Sequence, residues 1–98
     1  MADVAIVGGG PAGLSAALFL EKNGQNTTVF DTDATWMHKA HLFNYPGIGS
    51  VDGTAYLETL RTQVDSFGVT RQQGVEVTDV STAEDGFALA TDDGQHEA

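Results

Sequence analysis

The sequence predicts an α/β fold: a parallel strand–helix–strand unit, a second helix and a small antiparallel β-meander. Three observations predict it. The run Val4-Ala5-Ile6-Val7 is apolar, largely β-branched and followed by glycine, the pattern of a strand buried on both faces of a parallel sheet. A glycine-rich turn, Gly8-Gly9-Gly10-Pro11-Ala12-Gly13, leads straight into Leu14, Ala17 and Leu18 at helical spacing. A second β-branched segment, Thr27-Thr28-Val29-Phe30-Asp31, follows after a short connection, so two strands flank one helix within roughly thirty residues. Such crossovers are right-handed and leave their strands parallel. Together these make a Rossmann-like βαβ unit.

The first helix is expected from about Pro11, whose fixed φ suits a first turn, to about Asn23, where Asn23-Gly24 suits the end. From Thr32 to Gly53 no period is sustained. That stretch holds Trp36, His38, His41 and Phe43 and the turn signal Asn44-Tyr45-Pro46-Gly47. Loops of this length in compact domains are functional or disordered, and the density of aromatic and polar groups favours function. Helical spacing returns with Tyr56, Leu57, Leu60 and Val64, predicting a helix from about Thr54 to Phe67 with these residues in the core. Beyond it, strands over Val69 to Gln73, Val75 to Val80 and Phe87 to Thr91 read as the antiparallel meander, with Glu84-Asp85-Gly86 and Asp92-Asp93-Gly94 as hairpin turns.

Ninety-eight residues suffice for one domain with one core. Four Lys+Arg face fourteen Asp+Glu for a net charge of −10, which repels a nucleic-acid backbone or an anionic membrane surface. No apolar run approaches the roughly 18 residues of a membrane span, and Met1-Ala2-Asp3 carries no basic leader region. A cytoplasmic protein is therefore expected. The Asp-rich, Lys-poor balance suits a surface solvated in high salt, a halophilic reading, with an ordinary acidic protein as the alternative. Cysteine is absent, so this polypeptide offers no disulfide, dithiol centre or thiolate.

Gly8-x-Gly10-x-x-Gly13 is common as a bare pattern, but here it joins a buried strand to a helix that opens with proline, the context a phosphate-binding turn requires. The first glycine permits the tight turn, the second lets a pyrophosphate approach the backbone, and the third lets the helix pack close to the sheet. N–H groups and the positive dipole end of the helix then face the phosphates. No acid lies between Val4 and Leu20 to oppose them. A turn serving only close helix packing is the competing reading. Asp31 closes the second strand, where a carboxylate accepts hydrogen bonds from an adenosine ribose and disfavours a 2′-phosphate. That leaves NAD or FAD. His38 and His41 have no third ligand beside them, so no metal site is predicted. Trp36 is read as packing the loop, with stacking on an isoalloxazine as the alternative, Asp92-Asp93 as forming a turn, and no residue stands out as a catalytic acid, base or nucleophile.

Val4 to Gly13, the loop ending Asn44-Tyr45-Pro46-Gly47, and Asp52-Gly53 before a helix together resemble the start of the FAD domain of thioredoxin-reductase-like flavoproteins. The resemblance spans nearly the whole chain. It implies an FAD-dependent oxidoreductase: Gly8, Gly10, Pro11, Ala12 and Gly13 at the pyrophosphate, Asp31 at the adenosine ribose and Asn44 beside the flavin half. The strand around Val75 to Val77 would offer main-chain contacts to adenine, with Val77 the chosen residue. An NAD(P)H donor is the implied reductant. A non-catalytic FAD- or NAD-binding module, or half of a flavoenzyme that needs a second chain, is the alternative. Departures from the family pattern are Asp33-Ala34-Thr35-Trp36 where a Gly-Gly-Gln segment is usual, and no Ala-Thr-Gly strand, Gly-Asp flavin motif, NADPH domain or Cys pair. Residues 1–98 are thus read as one FAD-binding domain, incomplete at its C-terminal end, that leaves an apolar edge of strand one unpaired. Further polypeptide, a homo-oligomer or a partner chain is expected to cover that edge.

Overall fold

In the computed structural model, which describes residues 2–98, the chain runs β1 (Val4–Val7), α1 (Pro11–Lys22), β2 (Thr27–Asp31) and a 3-10 turn (Trp36–Lys39). It continues with β3 (His41–Leu42), β4 (Val51–Asp52), α2 (Gly53–Ser66), β5 (Thr70–Gln73), β6 (Val77–Ala83), β7 (Gly86–Thr91) and β8 (Gly94–Glu97). β1 and β2 pair in parallel, Val4 opposite Thr27 and Val7 opposite Phe30, as the strand–helix–strand reading predicts. α1 stops where Asn23 bonds back to the Phe19 and Leu20 carbonyls and Gly24 takes a φ of 87°, a conformation glycine adopts without a Cβ penalty.

The strand predicted over Val69 to Gln73 forms, but outside the meander. As β5 it lies parallel to β2, Thr28 opposite Thr70 and Asp31 opposite Gln73, giving the sheet order β1-β2-β5. The reason is α2: a helix joining two strands of one sheet is a crossover, and it returns the chain in the same direction. The antiparallel meander is instead β6-β7-β8, with Val77 opposite Thr91 and Ala88 opposite Glu97. Its first strand starts at Val77 rather than Val75 because Gly74 turns the chain at φ 81°, its N–H held by the Asp31 carbonyl at 2.6 Å. The stretch from Thr32 to Gly53 is not all loop, since it holds the 3-10 turn and a short ladder with His41 opposite Asp52.

Alternation along β1 and β2 divides the apolar side chains between two layers. On one face Ile6 and Val29 meet the helices, packing with Leu14, Ala17, Leu57, Leu60 and Val64. Leu14, Leu57, Val29 and Val64 are fully buried, each contributing roughly 1.5–3 kcal/mol. On the other face Ala5 and Phe30 meet Val75, Val77 and Leu89 of the meander and the segment leading into it. β2 is the central strand. Among the described residues nothing pairs with the outer edge of β1, and that edge borders a groove of about 350 Å³ lined by Val4, Val7, Val80, Phe87 and Leu89. No helix among the described residues is long and apolar enough to cross a membrane.

A bidentate ion pair ties α2 to β5: Arg71 Nε lies 2.7 Å from Asp65 Oδ1 and Nη2 lies 2.9 Å from Oδ2. The Arg71 guanidinium holds the Asp65 carboxyl below the usual carboxylate range. With an unfolded pKa of about 3.9, such a group stabilises the fold above that pH and stops doing so as pH falls through the lower folded value. Asp65 is 47% open to water, so the pair contributes at most about 1 kcal/mol. Asp65→Asn is expected to lower the melting temperature by roughly 3 °C at neutral pH, a deficit that shrinks below about pH 3.5. A deficit unchanged at about pH 2.5 would show that packing, not charge, was lost.

Candidate functional site

The site begins where β1 hands over to α1. Gly8 turns the chain at φ 115°, and its N–H bonds the Phe30 carbonyl at 2.9 Å, tying the turn to β2. Gly13 packs on the same turn: a Cβ there would stand 2.1 Å from the Gly8 carbonyl oxygen and 3.3 Å from Ile6 Cγ2. Gly10 is the N-cap of α1, with no side-chain cap and no acid in the first turn. Leu14 donates to the Gly10 carbonyl at 3.0 Å, whereas the N–H groups of Gly9, Gly10, Ala12 and Gly13 have no protein partner among the described residues. Pro11 has no N–H to satisfy. Four free donors at the positive end of a helix form a cradle for an anion.

Asp31 shares a strand face with Val29 and so turns toward α2. It is 2% exposed. Its Oδ1 accepts the Asp33 N–H at 2.7 Å and its Oδ2 the Arg61 Nη2 at 3.3 Å. The carboxyl carbon lies 2.1 Å from where a Cβ of Gly9 would stand, so the acid lies directly against the glycine turn. Arg61 Nη2 also donates to Asp33 Oδ1 at 2.6 Å, and Arg61 Nε, buried, has no partner.

Asp33 adopts φ 61°, which costs a non-glycine residue roughly 1–2 kcal/mol and is offset by its carboxylate's partners. His38 Nε2 stands 2.8 Å from the same Asp33 oxygen that Arg61 contacts, while His38 Nδ1 stands 2.9 Å from Thr54 Oγ1. The Arg61 guanidinium, and after it His38, hold the Asp33 carboxyl below the usual carboxylate range. Thr35 Oγ1 caps the 3-10 turn by accepting the Met37 N–H at 3.2 Å, and lies 3.3 Å from where a Cβ of Gly10 would stand. The segment from Asp31 to Thr35 therefore borders the glycine turn at both Gly9 and Gly10.

The structure brings Gly8, Gly10, Pro11, Ala12, Gly13 and Asp31 together at the carboxyl ends of β1 and β2. Asn44 stands exposed and without a hydrogen-bond partner among the described residues, just before a turn in which Ile48 donates to the Tyr45 carbonyl at 3.1 Å. Val77 enters the ladder opposite Thr91. Val75, two residues earlier, keeps its main-chain N–H and C=O out of any hydrogen bond among the described residues. Trp36 does not pack the loop as expected. It is 81% exposed with the Lys39 ammonium 5.1 Å from its ring centre, because Met37 takes the inward position of the 3-10 turn. His38 and His41 face different partners, His41 Nε2 standing 2.6 Å from Ser50 Oγ. Arg61, Asp33 and Thr35 are site residues that sequence reasoning did not single out.

A family model described as pyridine nucleotide-disulphide oxidoreductase matches residues 2–98. A ferredoxin–NADP reductase from Levilactobacillus brevis is 30% identical over 100 residues, covering 94% of this chain and 30% of that protein. A thioredoxin reductase from Aquifex aeolicus is 35% identical over 85 residues, covering 82% of this chain and 26% of that protein. Among solved structures, the atypical thioredoxin reductase of Desulfovibrio vulgaris Hildenborough matches with a TM-score of 0.90 at 30% identity, covering 100% of this chain and 33% of that one. The thioredoxin reductase of T. acidophilum matches with a TM-score of 0.91 at 29% identity, covering 99% and 33%. The chain thus spans no more than about a third of the length of these relatives.

Proposed function

Because this chain belongs to the pyridine nucleotide-disulphide oxidoreductase family, we propose that it binds FAD and serves as the FAD-binding part of a thioredoxin-reductase-like oxidoreductase. The single observation that carries this reading is the set of unpartnered N–H groups on Gly9, Gly10, Ala12 and Gly13. They suit two adjacent phosphoryl groups: the donors lie within one short turn and the start of α1, Gly8 to Gly10 carry no side chain to obstruct them, and no acid stands in the first helical turn. In this reading Gly8 shapes the turn, and Gly10, Pro11, Ala12 and Gly13 line the pyrophosphate. The acidic end of β2, where Asp31 stands, takes the adenosine ribose. Main chain between Val75 and Val77 faces adenine, and Asn44 lies toward the flavin half.

When bound, the flavin supplies hydride and electron chemistry, while the protein orients it and tunes its potential. A reduced pyridine nucleotide is the proposed donor. These 98 residues hold no cysteine, so a dithiol, if one takes part, lies outside them. The same reading gives the exposed edge of β1 a cover from a second chain or further polypeptide, since Val7 is 60%, Val80 51% and Phe87 53% exposed along it. It also assigns the acidic surface to a high-salt cytoplasm, where screening relieves like-charge repulsion.

Purification in molar KCl tests this reading. The expected product is yellow, releases FAD on denaturation as identified by mass, and scatters light as a species larger than one chain. Colourless protein that takes up no added FAD overturns the cofactor, and a monodisperse monomer retaining FAD overturns a second chain as the cover of the edge. The second reading is a non-catalytic binding module, which needs only the same unpartnered N–H groups. Bleaching of the bound flavin by NADH or NADPH under anaerobic conditions decides for an enzyme, and an unchanged spectrum for the module.

A further inference from the structure

Resting on the dinucleotide reading above, we propose that the carboxylate which meets the adenosine ribose is that of Asp33, and that Asp31 with Arg61 are positioning residues beneath it. The residue at the end of β2 is the geometric expectation, but Asp31 is sealed. Its side chain is 3% exposed, one oxygen is held by the Asp33 N–H and the other by Arg61, and the Gly9 backbone covers its carboxyl carbon. A hydroxyl reaching it would have to pass the Gly9 turn and displace the Asp33 N–H or the Arg61 guanidinium. Two residues on, the Asp33 side chain is 37% exposed, and its two partners, Arg61 and His38, both engage Oδ1. Oδ2 has no hydrogen-bond partner among the described residues and keeps its lone pairs for ribose hydroxyl donors.

The buried groups account for why that oxygen is held in place. One Arg61 amino group bridges both carboxylates, supplying the countercharge that a pair of acids beside a diphosphate requires. The Asp33 N–H bonded to Asp31 fixes the left-handed turn that aims Asp33 outward. Removing Asp31 would therefore loosen the turn without removing the acceptor, and removing Asp33 would remove the acceptor itself.

The test compares binding of ADP and 2′,3′-dideoxy-ADP to the full chain by calorimetry, with melting temperature recorded for each variant. Wild type is expected to prefer ADP by roughly tenfold or more, the strength of hydroxyl bonds to a charged acceptor. Asp33→Gly, which suits φ 61°, is expected to bring the two nucleotides within about twofold while leaving the fold intact. Asp33→Asn, which tolerates the same backbone, should show an intermediate ratio. Asp31→Asn should lower the melting temperature and keep the preference for ADP. Asp33→Gly retaining the full ratio overturns the assignment, as does loss of the ratio in Asp31→Asn alone. Wild type that binds ADP without preference also overturns it, leaving the cofactor reading in place, whereas wild type that binds neither nucleotide overturns the cofactor reading itself.

Discussion

Gly10→Val is expected to lower FAD affinity at least about a hundredfold, close to 3 kcal/mol, in a protein that still folds. The separation of the two effects follows from the surroundings of Gly10. Its backbone, at φ −79° and ψ −175°, is open to any residue, so glycine is not needed there for conformation. A Cβ at Gly10 meets only Thr35, at 3.3 Å from Oγ1, and a loop side chain can yield by the few tenths of an ångström required. The fold should therefore lose no more than about 1 kcal/mol. In the proposed reading the two added methyl groups, placed at the N-cap of α1, instead narrow the approach of a phosphoryl group to the free donors. Gly10→Ala, with less volume in the same place, should weaken binding less. Retention of FAD by Gly10→Val within about threefold of wild type, less than 1 kcal/mol, would remove the phosphate role from this turn.

How much of this was legible in the residues depends on how local each cause is. β1, α1 and β2 were read with their bounds nearly intact, because alternation, helical spacing and a glycine turn are all written within a few neighbouring positions. α2 was read within a residue of each end for the same reason. β5 was misplaced because Thr70-Arg71-Gln72-Gln73 carries no apolar run to mark a strand of a parallel sheet, and only the crossover through α2 decides its direction. β3 and β4, two residues each, are too short to show a period. Arg61 looks like an ordinary polar position on an amphipathic helix, and its partners Asp31 and Asp33 lie 30 and 28 residues away. Its one signal was scarcity. With only four basic residues in the chain, a lone arginine among apolar helix positions is a group worth pairing with the acids that close the neighbouring strand.

Gly13→Ala is expected to act on the fold rather than on the cofactor, and the sign is decided by two opposed terms. Alanine in place of glycine inside a helix is worth up to about 1 kcal/mol in propensity, so on α1 considered alone the change would stabilise. Against it stands the new Cβ, 2.1 Å from the Gly8 carbonyl oxygen and 3.2 Å from its carbonyl carbon. Neither atom belongs to a flexible side chain. Gly8 is held by its N–H bond to Phe30 and by φ 115°, so relief requires either lifting α1 off β1 or pulling the end of β1 out of its pairing with β2. Lifting the helix would open the packing of Leu14 and Ala17, both fully buried. Overpacking of this kind costs roughly 3 kcal/mol, so the net loss is about 2 kcal/mol and the melting temperature should fall by roughly 10 °C in the cofactor-free protein. Gly10→Ala, three residues earlier and free of backbone overlap, is the control and should melt close to wild type. Equal melting temperatures for the two alanine variants would mean that helix and turn are not in the close contact on which the whole cradle depends.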